Sequence, residues 1–261
     1  MNISPISISY TNDETKKPAE NFSKSTGYPL VPVNQVITPL NLNYTNDFIE
    51  LCDTEKNISV HIDFISGDLA HRQKYGGGRG QSIAKAIGLK QGTAPPSVLD
   101  ATAGLAKDAY VLACLGCSMT LVERSPIIAE LIKDAIKRAE ENEQFQLILK
   151  TGFNVINESS IEHLKVLLNK SSRNHPDVIY LDPMYPHRKK SASVKKNMQI
   201  LQTLLGQDED TQELLDVALK VAKKRVVVKR PKGAENLTVT NPTYLVESKK
   251  TRYDVYIIQQ E

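Results

Sequence analysis

The feature that most narrows the fold is a repeated exchange, from Ser97 onward, of short apolar runs for amphipathic stretches of helical period. "SVLD" (97–100) reads as a buried strand ending at Asp100, and "KDAYVLACLG" as a helix ended by Gly116. "SMTLVE" and "SPIIAELIKDAIKRAEEN" repeat the unit. Here Ser125 sits at the N-cap, Pro126 lies in the first turn, and Ile128, Leu131, Ile132, Ala135 and Ile136 form one stripe. "FNVIN", "SIEHLKVLLN", "DVIYLD", "SVKKNMQILQTLLG", "DTQELLDVALKVAKK" and "RVVVKR" continue the series, and "TYLVES" with "YDVYIIQ" closes it as an antiparallel pair. Asp210 and Glu213 stand at capping-box spacing. Such alternation predicts a largely parallel sheet covered by helices.

The N-terminal part follows another rule. Residues 1–45 are rich in Asn, Ser, Thr and Pro without sustained periodicity, and are expected to be partly loosely ordered. Between 46 and 64 the pattern becomes strict alternation, with Ile58, Val60, Ile62 and Phe64 on one face and Ser59, His61 and Asp63 on the other. With "DFIEL" before it and "DTEKN" between, a β-hairpin is the economical reading. A small extension over 1–70 followed by one domain over 71–261 is therefore expected.

At 261 residues, with 40% apolar and 24% charged residues, the chain can bury a sizeable core. No apolar run reaches the roughly 18 residues that span a bilayer, and the first residues lack the pattern of a secretory signal. A cytoplasmic protein away from membranes is expected, in agreement with only three cysteines. The net charge of +3 hides a partition: segments 72–90, 188–196, 223–232 and 249–252 hold 19 of the 33 Lys and Arg and contain no Asp or Glu. Runs this uncompensated point to a polyanionic partner. The glycines at 76, 77, 78 and 80, set around Arg79 and near Arg72 and Lys74, favour close contact with a ligand over a mere linker.

In open parallel sheets ligands bind beyond the carboxyl ends of the strands. "DATAGLAKDA" follows the first of these strands; Gly104 lets a ligand approach the backbone and Asp108 starts the next helix. The dinucleotide fingerprint G-x-G-x-x-G is not met, because Ala106 stands at the second glycine, which argues against a nicotinamide enzyme. Glu123, 23 residues after Asp100, suits the two hydroxyls of a ribose, and Ser159 or Ser160 suits a purine edge. "LDPMYP" then places Asp182, Pro183 and Tyr185 at a strand tip. The carboxylate can accept hydrogen bonds from an exocyclic amine and the ring can stack an unpaired base, while Arg188, Lys189 and Lys190 neutralise phosphate.

"DPMYP" resembles the (D/N)-P-P-(Y/F) motif of amino-directed, S-adenosylmethionine-dependent methyltransferases, with Met184 in place of the second proline. Together with "HRQKYGGGRGQ", "DATAGLAKDA", "LVERSP", "RVVVKRP" and "KKTRYDVY" it is similar to the RsmJ family of ribosomal RNA small-subunit methyltransferases, from about residue 60 to the end. The resemblance implies a Rossmann-like class I α/β fold with a seven-stranded, mostly parallel sheet and a small N-terminal β-containing extension. It implies methyl transfer from S-adenosylmethionine to a guanine N2 in 16S rRNA, either free or in the small subunit. Donor contacts are implied at Lys107, Asp108, Glu123, Arg124, Ser159, Ser160 and Asp182; the strand-end reading adds Asp100 and Gly104, and the basic segments place RNA contacts around Arg79, Lys189, Lys229 and Arg230. Relative to the family, Ala106 replaces a usual glycine and Lys107 a common arginine. A DNA or small-molecule amine methyltransferase, and a non-catalytic RNA-binding relative, are the alternatives. Cys114-x-x-Cys117 lacks a second pair of ligands at zinc spacing, so no metal is expected.

Overall fold

The computed structural model describes residues 6–66, 78–183, 196–205, 210–238 and 240–259. The elements of the first half are β1 (Ile6–Tyr10), α1 (Asp13–Thr26), β2 (Leu30–Pro32), β3 (Leu40–Tyr44), β4 (Ile49–Asp53), β5 (Ile58–Val60), α2 (Ser82–Ala86), β6 (Ser97–Asp100), α3 (Lys107–Cys114), β7 (Ser118–Val122) and α4 (Pro126–Ala139). The chain continues with α5 (Glu143–Thr151), β8 (Phe153–Ile156), α6 (Ser160–Leu168), β9 (Val178–Leu181), α7 (Lys196–Leu205), α8 (Thr211–Val221), β10 (Arg225–Pro231), β11 (Tyr244–Glu247) and β12 (Thr251–Ile257). They divide into two compact units, one of residues 1–63, 126–138 and 186–207, the other of 64–125, 139–185 and 208–261. No helix among the described residues is long and apolar enough to cross a membrane.

The first unit holds a five-stranded sheet of order β2-β1-β3-β4-β5, in which β1 runs parallel to both neighbours. The expectation of loose order over 1–45 is corrected for its described part. "ISISY" and "LNLNY" do alternate, but both halves of the alternation are buried, so the polar half gives no amphipathic signal. The buried Ser and Asn satisfy one another across the strands instead. Ser7 Oγ lies 2.6 Å from Thr38 Oγ1, Ser9 Oγ donates to Asn43 at 2.9 Å, and Asn41 Nδ2 donates to Ser9 Oγ at 2.8 Å. Buried polar groups tolerate this only when paired, since each unsatisfied one costs about 1–3 kcal/mol. Between these strands α1 is opened by a capping box of Asn12 and Thr15 and closed at Gly27, φ +76°. The hairpin β4–β5 forms as expected. Residues 126–138 of α4 belong to this unit, where Tyr44 donates to Glu130 at 3.0 Å and the Ile49 amide to Asp134 at 3.1 Å.

The second unit is built on a seven-stranded sheet of order β11-β12-β10-β9-β6-β7-β8. β8, β7, β6, β9 and β10 are parallel and β12 is antiparallel to both of its neighbours, as the alternation predicts. On one face Leu99, Ile179, Leu181, Val226 and Val228 form a single buried cluster with Leu164 of α6 and Leu214, Leu215, Ala218 and Val221 of α8. Elsewhere in the unit Phe64 stacks on Tyr110 and Phe145 at ring distances of 5.0 and 5.4 Å and meets Phe153 edge-on. Helix α5, capped by Asn142, was not anticipated, because the acidic run before it reads as the fraying end of α4. The capping box expected at Asp210 does not form: Asp210 pairs with Arg124 at 3.2 Å and Glu213 with Lys165 at 3.0 Å. Ion pairs to side chains distant in sequence have taken both carboxylates away from the helix end.

Candidate active site

Three parallel strands end in acids, and the loops after them draw those acids together. Beyond Asp100 the chain turns through Gly104, φ +50°, and Ala106, φ +55°, before α3 begins. Left-handed backbone at a residue with a Cβ costs roughly 1–2 kcal/mol. Ala106 is fully buried and accepts that strain. The Asp100 carboxylate accepts the Thr102 amide at 3.0 Å, and Thr102 Oγ1 in turn accepts the Asp182 amide at 2.6 Å. This hydroxyl ties the tip of β6 to the tip of β9. Ser160 Oγ donates to the Ala101 carbonyl at 2.6 Å and adds a third tether, from the start of α6.

Glu123, 5% exposed, spreads its carboxylate over two backbone amides: Oε2 accepts from Gly104 at 2.9 Å and Oε1 from Ser125 at 2.8 Å. A carboxylate at this place suits the two hydroxyls of a ribose. Asn157 Nδ2 donates to the Glu123 carbonyl at 2.8 Å and steadies the strand end.

At the centre lies Lys229 of β10. In register Val228 pairs with Leu181, so the next residues, Lys229 and Asp182, stand side by side. Lys229 Nζ donates to Asp182 Oδ2 and to Asp108 Oδ2, both at 2.7 Å. Tyr180 adds its hydroxyl to the same Asp108 oxygen at 2.8 Å. Asp108 lies in the first turn of α3, where the helix dipole favours an anion.

One ammonium therefore serves a neighbourhood of Asp100, Asp108, Glu123 and Asp182, and the titrations reflect that excess. Burial, reinforced by Asp108, Asp182 and Glu123, pushes the Asp100 carboxyl up to about 8 against the pull of the Thr102 amide. The Asp182 carboxyl is also raised, by desolvation and by Asp108, although Lys229 opposes the rise. Desolvation alone would depress the Lys229 ammonium, but Asp182 and Asp108 outweigh it and hold its pKa above the ordinary value. A cationic ligand would relieve this crowding of negative charge. S-adenosylmethionine, which carries a sulfonium and an ammonium, fits such a donor set, and Glu123 fits its ribose.

The other residues expected from sequence are placed as follows. Lys107 and Ser159 are exposed at helix starts, and Arg124 is exposed and paired with Asp210. Pro183 is buried directly behind Asp182. Arg79 is exposed and donates to the Lys90 carbonyl at 2.8 Å. Arg230, expected at phosphate, is corrected: it is 2% exposed and donates to the Glu235 carbonyl at 2.6 Å. Strand alternation sends it to the face opposite Lys229. Arg252, from another basic segment, is drawn into a buried pair with Asp254 at 2.7 Å. Arg72, Lys74, Tyr185, Arg188, Lys189 and Lys190 lie outside the described residues. Burial raises the Cys114 thiol to about 11 and the Cys117 thiol to about 12, so neither is a ready thiolate. No group of three or more His, Cys, Asp or Glu suited to a metal occurs among the described residues. Sequence reasoning missed Thr102, Tyr180 and Asn157, and it read Lys229 only as a phosphate ligand; the register of β9 and β10 is the signal that would have found its true neighbours.

Strand order, a glycine turn after the first parallel strand, an acid after the second and an aspartate-proline tip after the fourth together define a class I S-adenosylmethionine-dependent methyltransferase. A family model of SAM-dependent methyltransferases matches residues 30–258. The chain is 48% identical over 221 residues to ribosomal RNA small subunit methyltransferase J of Shewanella sp. (strain MR-4), covering 84% of this chain and 82% of that relative. It is 44% identical to the protein of the same name from Colwellia psychrerythraea, covering 98% and 94%. The crystal structure of a SAM-dependent methyltransferase from Neisseria gonorrhoeae superposes with a TM-score of 0.74 at 34% identity, covering 98% of this chain and 97% of the other. The chain belongs to the ribosomal RNA small subunit methyltransferase J family. The fold and the methyl donor expected from the sequence are thereby borne out.

Proposed function

We propose that this enzyme methylates the exocyclic N2 amine of a guanine in 16S rRNA, in the cytoplasm, with S-adenosylmethionine as donor. The observation that carries the reading is Asp182 at the tip of β9, its backbone amide held by the Thr102 hydroxyl and its carboxylate by Lys229. The Gly104 turn, Glu123, Ser159 and Ser160 would hold the donor, which supplies an electrophilic methyl group when bound. An exocyclic amine is a weak nucleophile because its lone pair is delocalised into the ring. Asp182 accepts its hydrogen bonds, raises electron density on nitrogen and stabilises the charge that develops there. A methylated amine carries one proton too many, and the raised pKa of Asp182 suits it to receive that proton. Lys229 keeps Asp182 oriented throughout. Arg79 and the basic segment beyond Asp182 supply the charge that phosphates require. The names of the relatives support ribosomal RNA as the substrate.

The test is transfer of labelled methyl to small subunits, and to their RNA, from a strain lacking this protein, with the nucleoside identified by mass spectrometry. N2-methylguanosine is expected in 16S rRNA, and Asp182→Ala is expected to abolish it while leaving RNA binding nearly intact. Methylation of DNA or of a small amine, with none of RNA, would overturn the reading.

A further inference from the structure

The line of side chains that begins at Asp182 does not stop at Lys229. Lys229 pairs in register with Tyr253 of β12, and directly paired residues share a face of the sheet. Asp182, Lys229 and Tyr253 thus stand in a row. Against Lys229 and Asp108 opens a cavity of about 350 Å³, lined by Ile83 and Tyr253, and by the polar groups of Gln81, Ser82, Ser248 and Thr251. That volume lies at the low end of small-ligand pockets, about 300–1,000 Å³, and suits a single base rather than a stretch of chain.

Position and chemistry agree. The groups that fit the methyl donor follow β6, β7 and β8, to one side of Asp182, while the cavity, which shares Asp108 with that side, is otherwise lined from α2, β10, β12 and the turn before β12, to the other. Displacement at a methyl carbon requires the accepting nitrogen opposite the leaving sulfur, so acceptor and donor must approach Asp182 from different sides. Lys229 brings a second element. Its ammonium carries three N–H groups, and two go to Asp108 and Asp182. The third is available to a ring acceptor beside the amine, such as guanine N3.

We propose that this cavity receives the target guanine, unstacked from its RNA, with Lys229 donating to the base edge, Asp182 accepting from the amine, and Tyr253 and Ile83 covering the ring. The inference rests on the proposed methyl transfer to RNA and adds the pocket that selects the base. Enzymes acting on an exocyclic group must withdraw the base from its stack, and a lined pocket offsets the lost stacking.

Ser82→Trp places an indole in the cavity wall. Expected for Ser82→Trp are an unchanged calorimetric affinity for S-adenosylmethionine and a loss of methyl transfer to rRNA of about tenfold or more. Full transfer by a folded Ser82→Trp would overturn the pocket and leave the function standing. Loss of donor affinity in that variant would overturn it too, because the cavity would then belong to the donor. A second measurement is independent of turnover and of the variant's folding: methyl NMR of the wild-type chain saturated with S-adenosylhomocysteine and titrated with guanosine 5′-monophosphate. Shifts of the Ile83 and Thr251 methyls, larger than with adenosine 5′-monophosphate, are expected. Shifts elsewhere, or none, would overturn the pocket. If wild type methylates no RNA while those two methyls still respond, the pocket stands and the RNA reading fails.

Discussion

Replacing Lys229 by Met removes the ammonium that bridges Asp108 and Asp182 while keeping the aliphatic stem. Two hydrogen bonds between charged groups disappear, each worth about 1.5–3 kcal/mol in a protected setting. The Lys229 side chain is 27% exposed and that of Asp182 is 40% exposed, so solvent screens the second bond and about 2–3 kcal/mol is the expected total loss of stability. The more telling effect is on titration. With the ammonium gone, Asp108 and Asp182 repel without compensation, and the Asp182 carboxyl, already raised, rises further. Loss of that stabilisation of its ionised form moves the acid limb of the rate profile to higher pH. Methyl transfer measured as kcat/KM across pH 6–9.5, beside urea unfolding of both proteins, tests this. A profile that superimposes on wild type after correction for folded fraction would refute the reasoning and leave Lys229 a purely structural cation.

The pH dependence of folding supplies another check. Asp100 has a folded pKa near 8, far above its unfolded value, so the native state holds its proton while the unfolded chain releases it. Wild-type stability relative to Asp100→Asn should be highest below about pH 4 and should fall as pH rises towards 8, by at most about 1.4 kcal/mol per unit. Equal slopes in paired denaturation series would contradict this. Gly88 has φ +80°, and a Cβ there would lie 2.5 Å from the Arg225 guanidinium carbon. That guanidinium is held by the Ala86 carbonyl and the Tyr244 hydroxyl, so Gly88→Ala should destabilise by about 2 kcal/mol in chemical denaturation. Ala106→Gly relieves left-handed strain but gives up a buried methyl and gains unfolded-state entropy. A net change within about 1 kcal/mol is expected, with donor affinity by calorimetry unchanged.

The sequence by itself determined the order of strands in the second unit, most of its helices and the acids at the strand tips. Those signals are local: period 2 or 3.6, a proline in a first turn, a glycine past a helix end, and apolar runs closed by Asp100, Glu123 and Asp182. Locality also set the limits. "ISIS" and "LNLN" looked like loop composition because their polar halves are satisfied across the strands, by each other and by Thr38 and Glu50, up to 34 residues away in the chain. Tertiary structure alone decided that Lys229 bridges Asp108 and Asp182, partners 121 and 47 residues away, while its neighbour Arg230 is buried on the other face. It likewise took Asp210 from its expected cap and gave Thr102 to the Asp182 amide. Near-neighbour sterics and periodicity select elements, but the partner of a polar side chain depends on which strands lie adjacent and in what register. A shift of one residue would exchange Lys229 for Arg230 beside Asp182.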